Sequence, residues 1–161
     1  MTRRKFRVLL FVLLAITNSI SASGQQKKVR SISDSAAVIE TTNQFVKDFV
    51  NLDWEKFKSY FADDATAFFP PSAKFSTRAN NKIEIEKIFS TFFENVRKQK
   101  SGPPYLDIKP AELRIQLVGT IAIVSFVLND PGLLGRRTII WTKRKNGWKI
   151  IHLHASGIPN L

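Results

Sequence analysis

Two histidines are the sharpest chemical candidates in the chain. His152 and His154 stand two residues apart in the stretch "KIIHLHASG", and imidazole is the side chain most readily used as a proton shuttle near neutral pH. In a strand that spacing puts both rings on one face. Paired imidazoles could also offer two ligands to a metal, but no third ligand accompanies them, and no metal or other cofactor is expected. The carboxylates read as structural: Asp53 as a helix cap, Asp63 and Asp64 in a helix-to-strand turn where solvated capping is the usual use, Asp107 and Glu112 near the edge of a sheet. Tyr60 and Tyr105 are the only phenols. The chain has no Cys, which removes disulfides, thiolate nucleophiles, iron–sulfur clusters and lipidated cysteines.

The elements that must position these groups belong to a mature chain of one domain's length. The 161 residues are 43% hydrophobic and 24% charged, an ordinary globular balance that fits neither a disordered nor a fibrous chain. Arg3, Arg4, Lys5 and Arg7 precede the apolar run Val8 to Ile16, and small residues follow at Ser19, Ser21, Ala22, Ser23 and Gly24. This pattern predicts a secretory signal peptide over 1–24, too short to serve as a lasting membrane anchor, and an exported protein, periplasmic or secreted. The formal charge of +12 falls to +8 without those residues, since they hold four basic and no acidic side chains. The remaining basic residues are scattered without aromatic interleaving, so nucleic acid is not an expected partner. Their densest group, Arg136, Arg137, Lys143, Arg144, Lys145 and Lys149, reads as the solvated rim of a hairpin.

After a flexible lead over 25–32, a domain over 33–161 is expected. Ser33 or Asp34 can cap a helix carrying Val38, Thr42, Phe45, Phe49 and Leu52 on one stripe, and Asp53 caps a second with Trp54, Phe57, Tyr60 and Phe61. A short strand is predicted over Ala65 to Phe69, stopped by Pro70 and Pro71. Asn80 or Asn81, with Glu84 as capping partner, starts a third helix striped by Ile85, Ile88, Phe89, Phe92 and Val96. Past Tyr105 the chain reads as strands separated by turns at Gly119-Thr120, Asn129 to Gly132 and Asn146-Gly147. Helices first and a meander afterwards predict an α+β fold with an antiparallel sheet.

The order of elements, the block "NLDWEKFKSYFADDATAFFPP" and the ending "RRTIIWTKRKNGWKIIHLHASGIPN" resemble the SnoaL-like branch of the nuclear transport factor 2-like superfamily. Within it, Trp148, His152, His154, Ser156, Gly157 and Pro159 are most similar to the last strand of the calcium/calmodulin-dependent protein kinase II association domain. The resemblance implies a cone-shaped fold, with helices packed on a curved sheet around an apolar pocket. It also implies a homodimer or larger ring formed through the outer sheet face. The arginines that line the pocket of the kinase relatives align with Val127, Ile139 and Ala155, none of them basic. A pocket lined by Tyr60, Phe69, Phe75, Val127, Ile139 and Trp141 would therefore take an apolar or aromatic small molecule. On the same alignment His152 and His154 face outward with Trp148 and Ile150, as interface residues. The superfamily also holds isomerases, dehydratases and cyclases with a pocket acid or base. No full catalytic set matches here; the nearest oxyanion partner would be Tyr60, with Ser125, itself a further expected pocket residue, or a histidine beside it. The reading is a non-catalytic binding and assembly domain, with such an enzyme as the alternative.

Overall fold

The corners that precede the main sheet are made by side chains and backbone groups that satisfy helix ends. The computed structural model describes residues 31–70, 78–130 and 133–159; the expected signal peptide, Phe75 and the Pro131-Gly132 break lie outside them. Helix α1 is described over residues 31–50, including Ile32 of the expected flexible lead. Its stripe of Val38, Thr42 and Phe45 is buried, as is Leu52 in the turn after it. There the Asp53 N–H donates to the Asp48 carbonyl at 2.9 Å, and the Asp53 side chain caps helix α2 (Trp54–Ser59) by accepting from the Lys56 N–H. Strand β1 (Phe61–Phe68) follows without a loop, so Phe61, expected in the helix, is a strand residue. After the two-residue strand β2 (Arg78–Ala79), helix α3 (Lys82–Gln99) opens on a reciprocal cap. Asn81 accepts from the Glu84 N–H at 3.0 Å, and the Glu84 carboxylate accepts from the Asn80 N–H at 2.8 Å.

Strands β3 (Pro110–Val118), β4 (Ile121–Asp130), β5 (Leu133–Arg144) and β6 (Gly147–Pro159) form the meander. The fold is α+β, with a curved six-stranded sheet in the order β2-β1-β6-β5-β4-β3. It is antiparallel except between β1 and β6, which run parallel. That one pairing departs from the expected antiparallel sheet; the chain between β1 and β6 returns to the same end of the sheet before β6 begins, as a parallel pair requires. At the β5–β6 hairpin Lys145 and Asn146 make the turn, and Gly147 takes φ +95, a left-handed geometry that favours glycine.

One irregularity matters more than the rest. Ile140 pairs with His152, but the next residue, Trp141, pairs with Ile150, so Ile151 is an extra residue in β6. This β-bulge reverses the facing of the strand partway along its length. The compact unit Val38–Leu161 packs its helices and rings on the inner sheet face. Phe57 is its hub: its ring lies 5.2 Å from Phe45, 4.7 Å from Phe89 and 5.1 Å from Phe93, contacts beyond simple area burial.

Candidate ligand cavity

Strand pairing sets the floor of a cavity of about 270 Å³. Phe126 of β4 pairs with Arg137 of β5, and Arg137 pairs with Ala155 of β6. Ile139 and Leu153 form the next row, with Leu128 beside Phe126 on the same strand. From α1 come Phe45, Val46 and Phe49, and from α3 come Ile88, Phe89 and Phe92, whose helical spacing turns both stripes toward the sheet. Phe57, Phe69, Pro70 and Ile108 complete the described wall. Fifteen of these sixteen residues are apolar, and the sixteenth is Arg137. Its Nη1 donates to the Arg136 carbonyl at 2.9 Å and to the Ser156 carbonyl at 3.0 Å. Gly135 makes room for it: a Cβ there would stand 3.3 Å from Arg137 Nη1.

The residues singled out from the sequence separate into four places. Phe69 and Ile139 line the cavity, while Phe75 lies outside the described residues. Tyr60 and Trp141 sit behind Phe45, whose ring is 5.5 Å from Tyr60 and 5.9 Å from Trp141. Trp141 is fully buried. The Tyr60 hydroxyl donates to Asp48 Oδ2 at 2.8 Å, and Gln44 Nε2 donates to the other oxygen of the same buried carboxylate at 2.8 Å. Burial first, then the bond to Asp48 and the nearby carboxylate charge, push the Tyr60 phenol well above its ordinary range, so it stays a hydrogen-bond donor at neutral pH.

Ser125 and Val127 are on the opposite sheet face, paired with Thr138 and Arg136, and do not line the cavity. The apolar run Ile121 to Leu128 offers apolar residues at both parities, and the structure turns Phe126 and Leu128 inward instead. Trp148 and Ile150 are buried at 6% and 0% exposure rather than forming an outer interface with the histidines. The bulge at Ile151 is the reason, since it places these two residues and His152 on opposite faces. His152 and His154 are on the outer face. There Thr66 Oγ1 and His152 Nδ1 are 2.8 Å apart, and the Phe68 ring lies 5.8 Å from His152 and 6.1 Å from His154. Burial, and secondarily the neighbouring His154, hold the His152 imidazole below its ordinary pKa. Among the described residues no group of three or more His, Cys, Asp or Glu could hold a metal ion.

Sequence reasoning passed over Arg137, taken for a rim residue. The signal is present in the strand between the turns at Asn129 to Gly132 and Asn146-Gly147, where Arg137 shares its parity with Ile139, a residue the resemblance places inward.

A helix-covered, curved mixed sheet with an apolar cavity on its inner face defines the nuclear transport factor 2-like class, and solved structures agree. A candidate dehydratase of that class from Streptomyces avermitilis is 16% identical, with 78% of this chain and 97% of that one covered and a TM-score of 0.64. A nuclear transport factor 2-like protein of unknown function from Pseudomonas putida is 18% identical over 78% and 87% of the two chains, TM-score 0.62. A candidate ketosteroid isomerase from Parabacteroides distasonis is 18% identical over 75% and 85%, TM-score 0.53. At such identities the likeness speaks to fold alone. The SnoaL-like domain model matches residues 38–160, and the chain belongs to that family. No curated protein matches it.

Proposed function

We propose that the protein is an exported, non-catalytic domain that holds a small apolar or aromatic molecule in this cavity and assembles with copies of itself. The observation that carries the binding reading is the wall: among the described residues, fifteen apolar ones and one cation around about 270 Å³. Small-molecule sites are built this way, largely apolar with few polar groups to orient the ligand. None of the described lining residues is a carboxylate, imidazole or phenol, which favours binding over acid–base turnover. Self-assembly is supported by the outer sheet face, where Phe68 and Ile158 are 41% and 40% exposed. Export is supported by the basic patch and apolar run of residues 3–16.

A thermal-shift screen of apolar aromatic compounds, followed by calorimetry, tests the binding reading. Phe69→Ala removes part of the wall and should weaken the best compound about ten-fold or more, whereas His152→Ala and His154→Ala should leave its affinity within a few-fold. Loss of binding in the histidine variants with the wall intact contradicts it. Light scattering at micromolar concentration tests assembly, and a monomer alone rejects it. Mass spectrometry of the native N-terminus tests export, and an N-terminus at Met1 rejects cleavage.

One arrangement favours the alternative of an isomerase, dehydratase or cyclase. The protonated Tyr60 hydroxyl and the buried Asp48 carboxylate lie one ring away from the cavity, behind Phe45. Turnover of a carbonyl substrate that disappears in Tyr60→Phe while binding persists would establish that reading instead.

A further inference from the structure

The charge of this chain is unevenly placed, and one end of the sheet gathers it. From Leu113 to Leu161 there are seven Lys and Arg and a single acidic residue, Asp130. Four of the seven, Lys143, Arg144, Lys145 and Lys149, fall at the β5–β6 hairpin, where the first three are exposed. The β3–β4 turn stands beside them, since the Lys143 N–H donates to the Thr120 carbonyl at 2.8 Å. That turn carries Val118, 67% exposed, next to the bare backbone of Gly119. Helix α2 closes the same end, with Lys149 Nζ donating to the Ser59 carbonyl at 2.6 Å. Its acidic residues are already matched, Asp53 to Lys56 at 2.6 Å and Glu55 to Lys58 at 2.8 Å. The end therefore carries a cluster of basic side chains to one side of an outward apolar one.

We propose that this end of the sheet docks on an anionic lipid surface, with Arg144, Lys145 and their basic neighbours on the headgroups and Val118 in the boundary between headgroups and acyl chains. Charge complementarity selects an anionic surface. Val118 selects lipid over a water-borne polyanion, because an exposed apolar side chain gains nothing beside a solvated phosphate backbone and is favoured at a bilayer interface. The contact is weak and reversible, since each basic side chain near such a surface contributes about five-fold in affinity. It uses none of the cavity wall, so it stands independently of the ligand-binding reading.

Vesicle sedimentation of the full chain decides the matter. Wild type is compared with Arg144→Glu/Lys145→Glu, with the milder Arg144→Gln/Lys145→Gln and with Val118→Ser. All four proteins share the apolar N-terminal run, so only differences between them count, and circular dichroism establishes that each is folded. Vesicles containing phosphatidylglycerol should bind wild type more tightly than phosphatidylcholine alone. The glutamine pair should lower that preference about twenty-five-fold and the glutamate pair further. Val118→Ser should weaken the binding that survives in raised salt, where charge attraction is screened. An unchanged lipid preference in both double variants overturns the proposal. So does tighter binding to duplex DNA than to the anionic vesicles with Val118→Ser silent, which would make this a nucleic-acid surface.

Discussion

The two ends of the inner sheet face are built from the same strands and yet one is closed and the other open. Toward the β5–β6 hairpin, Trp141 and Ile150 pair across the strands and both are fully buried, with Phe45 and Tyr60 packed on the Trp141 ring. Toward the far end, Arg137 pairs with Ala155, and Leu128 pairs with Gly135. Small residues there leave the space that tryptophan fills at the hairpin end. Side-chain volume along two neighbouring strands therefore decides where this domain has a core and where it has a cavity.

Substitution of the closed end should give the largest effect. Trp141→Ala is expected to cost about 3–5 kcal/mol of stability, read from the denaturant midpoint. Phe69→Ala in the partly exposed wall of the open end should cost clearly less while carrying the larger loss of ligand affinity. Equal costs at the two sites would erase the distinction between core and cavity.

Tyr60→Phe sharpens the comparison from the closed side. It leaves buried Asp48 with one donor fewer, Gln44 remaining, and should cost about 1–3 kcal/mol. Because the folded-state pKa of Tyr60 lies above its ordinary value of 10.0, its stabilising contribution is complete below pH 10 and is lost as the pH rises beyond it. Wild type should therefore lose stability in that alkaline window more steeply than Tyr60→Phe, as followed by urea melts across pH. A parallel decline in both proteins would detach Tyr60 from the effect.

The smallest effect belongs to the outer face. The His152 pKa is held below its ordinary 6.5, so its contribution to the folded state is complete above that value and is lost as the pH falls through the folded pKa. Urea melts between about pH 7 and 5 should show stability falling on acidification, and His152→Gln should flatten the profile. A profile unchanged by the substitution would detach His152 from the effect.

What could be read from the sequence follows from which local rule was unopposed. The Asn81–Glu84 cap, the Gly119 turn and the helical stripes were legible because each depends on residues within one turn of chain. The facing of β4 was not, since Ile121 to Leu128 is apolar at both parities apart from Ser125. In β6 the period-two rule put Trp148, Ile150, His152 and His154 on one face, and the extra residue Ile151 broke it with no mark in the sequence. The short strand β2 has two residues and no pattern to detect, and the parallel pairing of β1 with β6 is a long-range contact. Arg137 was legible by parity but was outweighed by the basic residues around it.

Ala155→Phe tests most directly whether the open end is a binding cavity, by placing a ring where Ala155 meets Arg137 and Leu153. Calorimetric titration with naphthalene or the best compound of the screen is the measurement, with thermal melts establishing that the variant is folded. Wild type should saturate at one molecule per chain, and Ala155→Phe should show no binding heat while melting within a few degrees of wild type. Undiminished binding in folded Ala155→Phe would contradict a binding cavity at the open end and put the ligand elsewhere on the molecule.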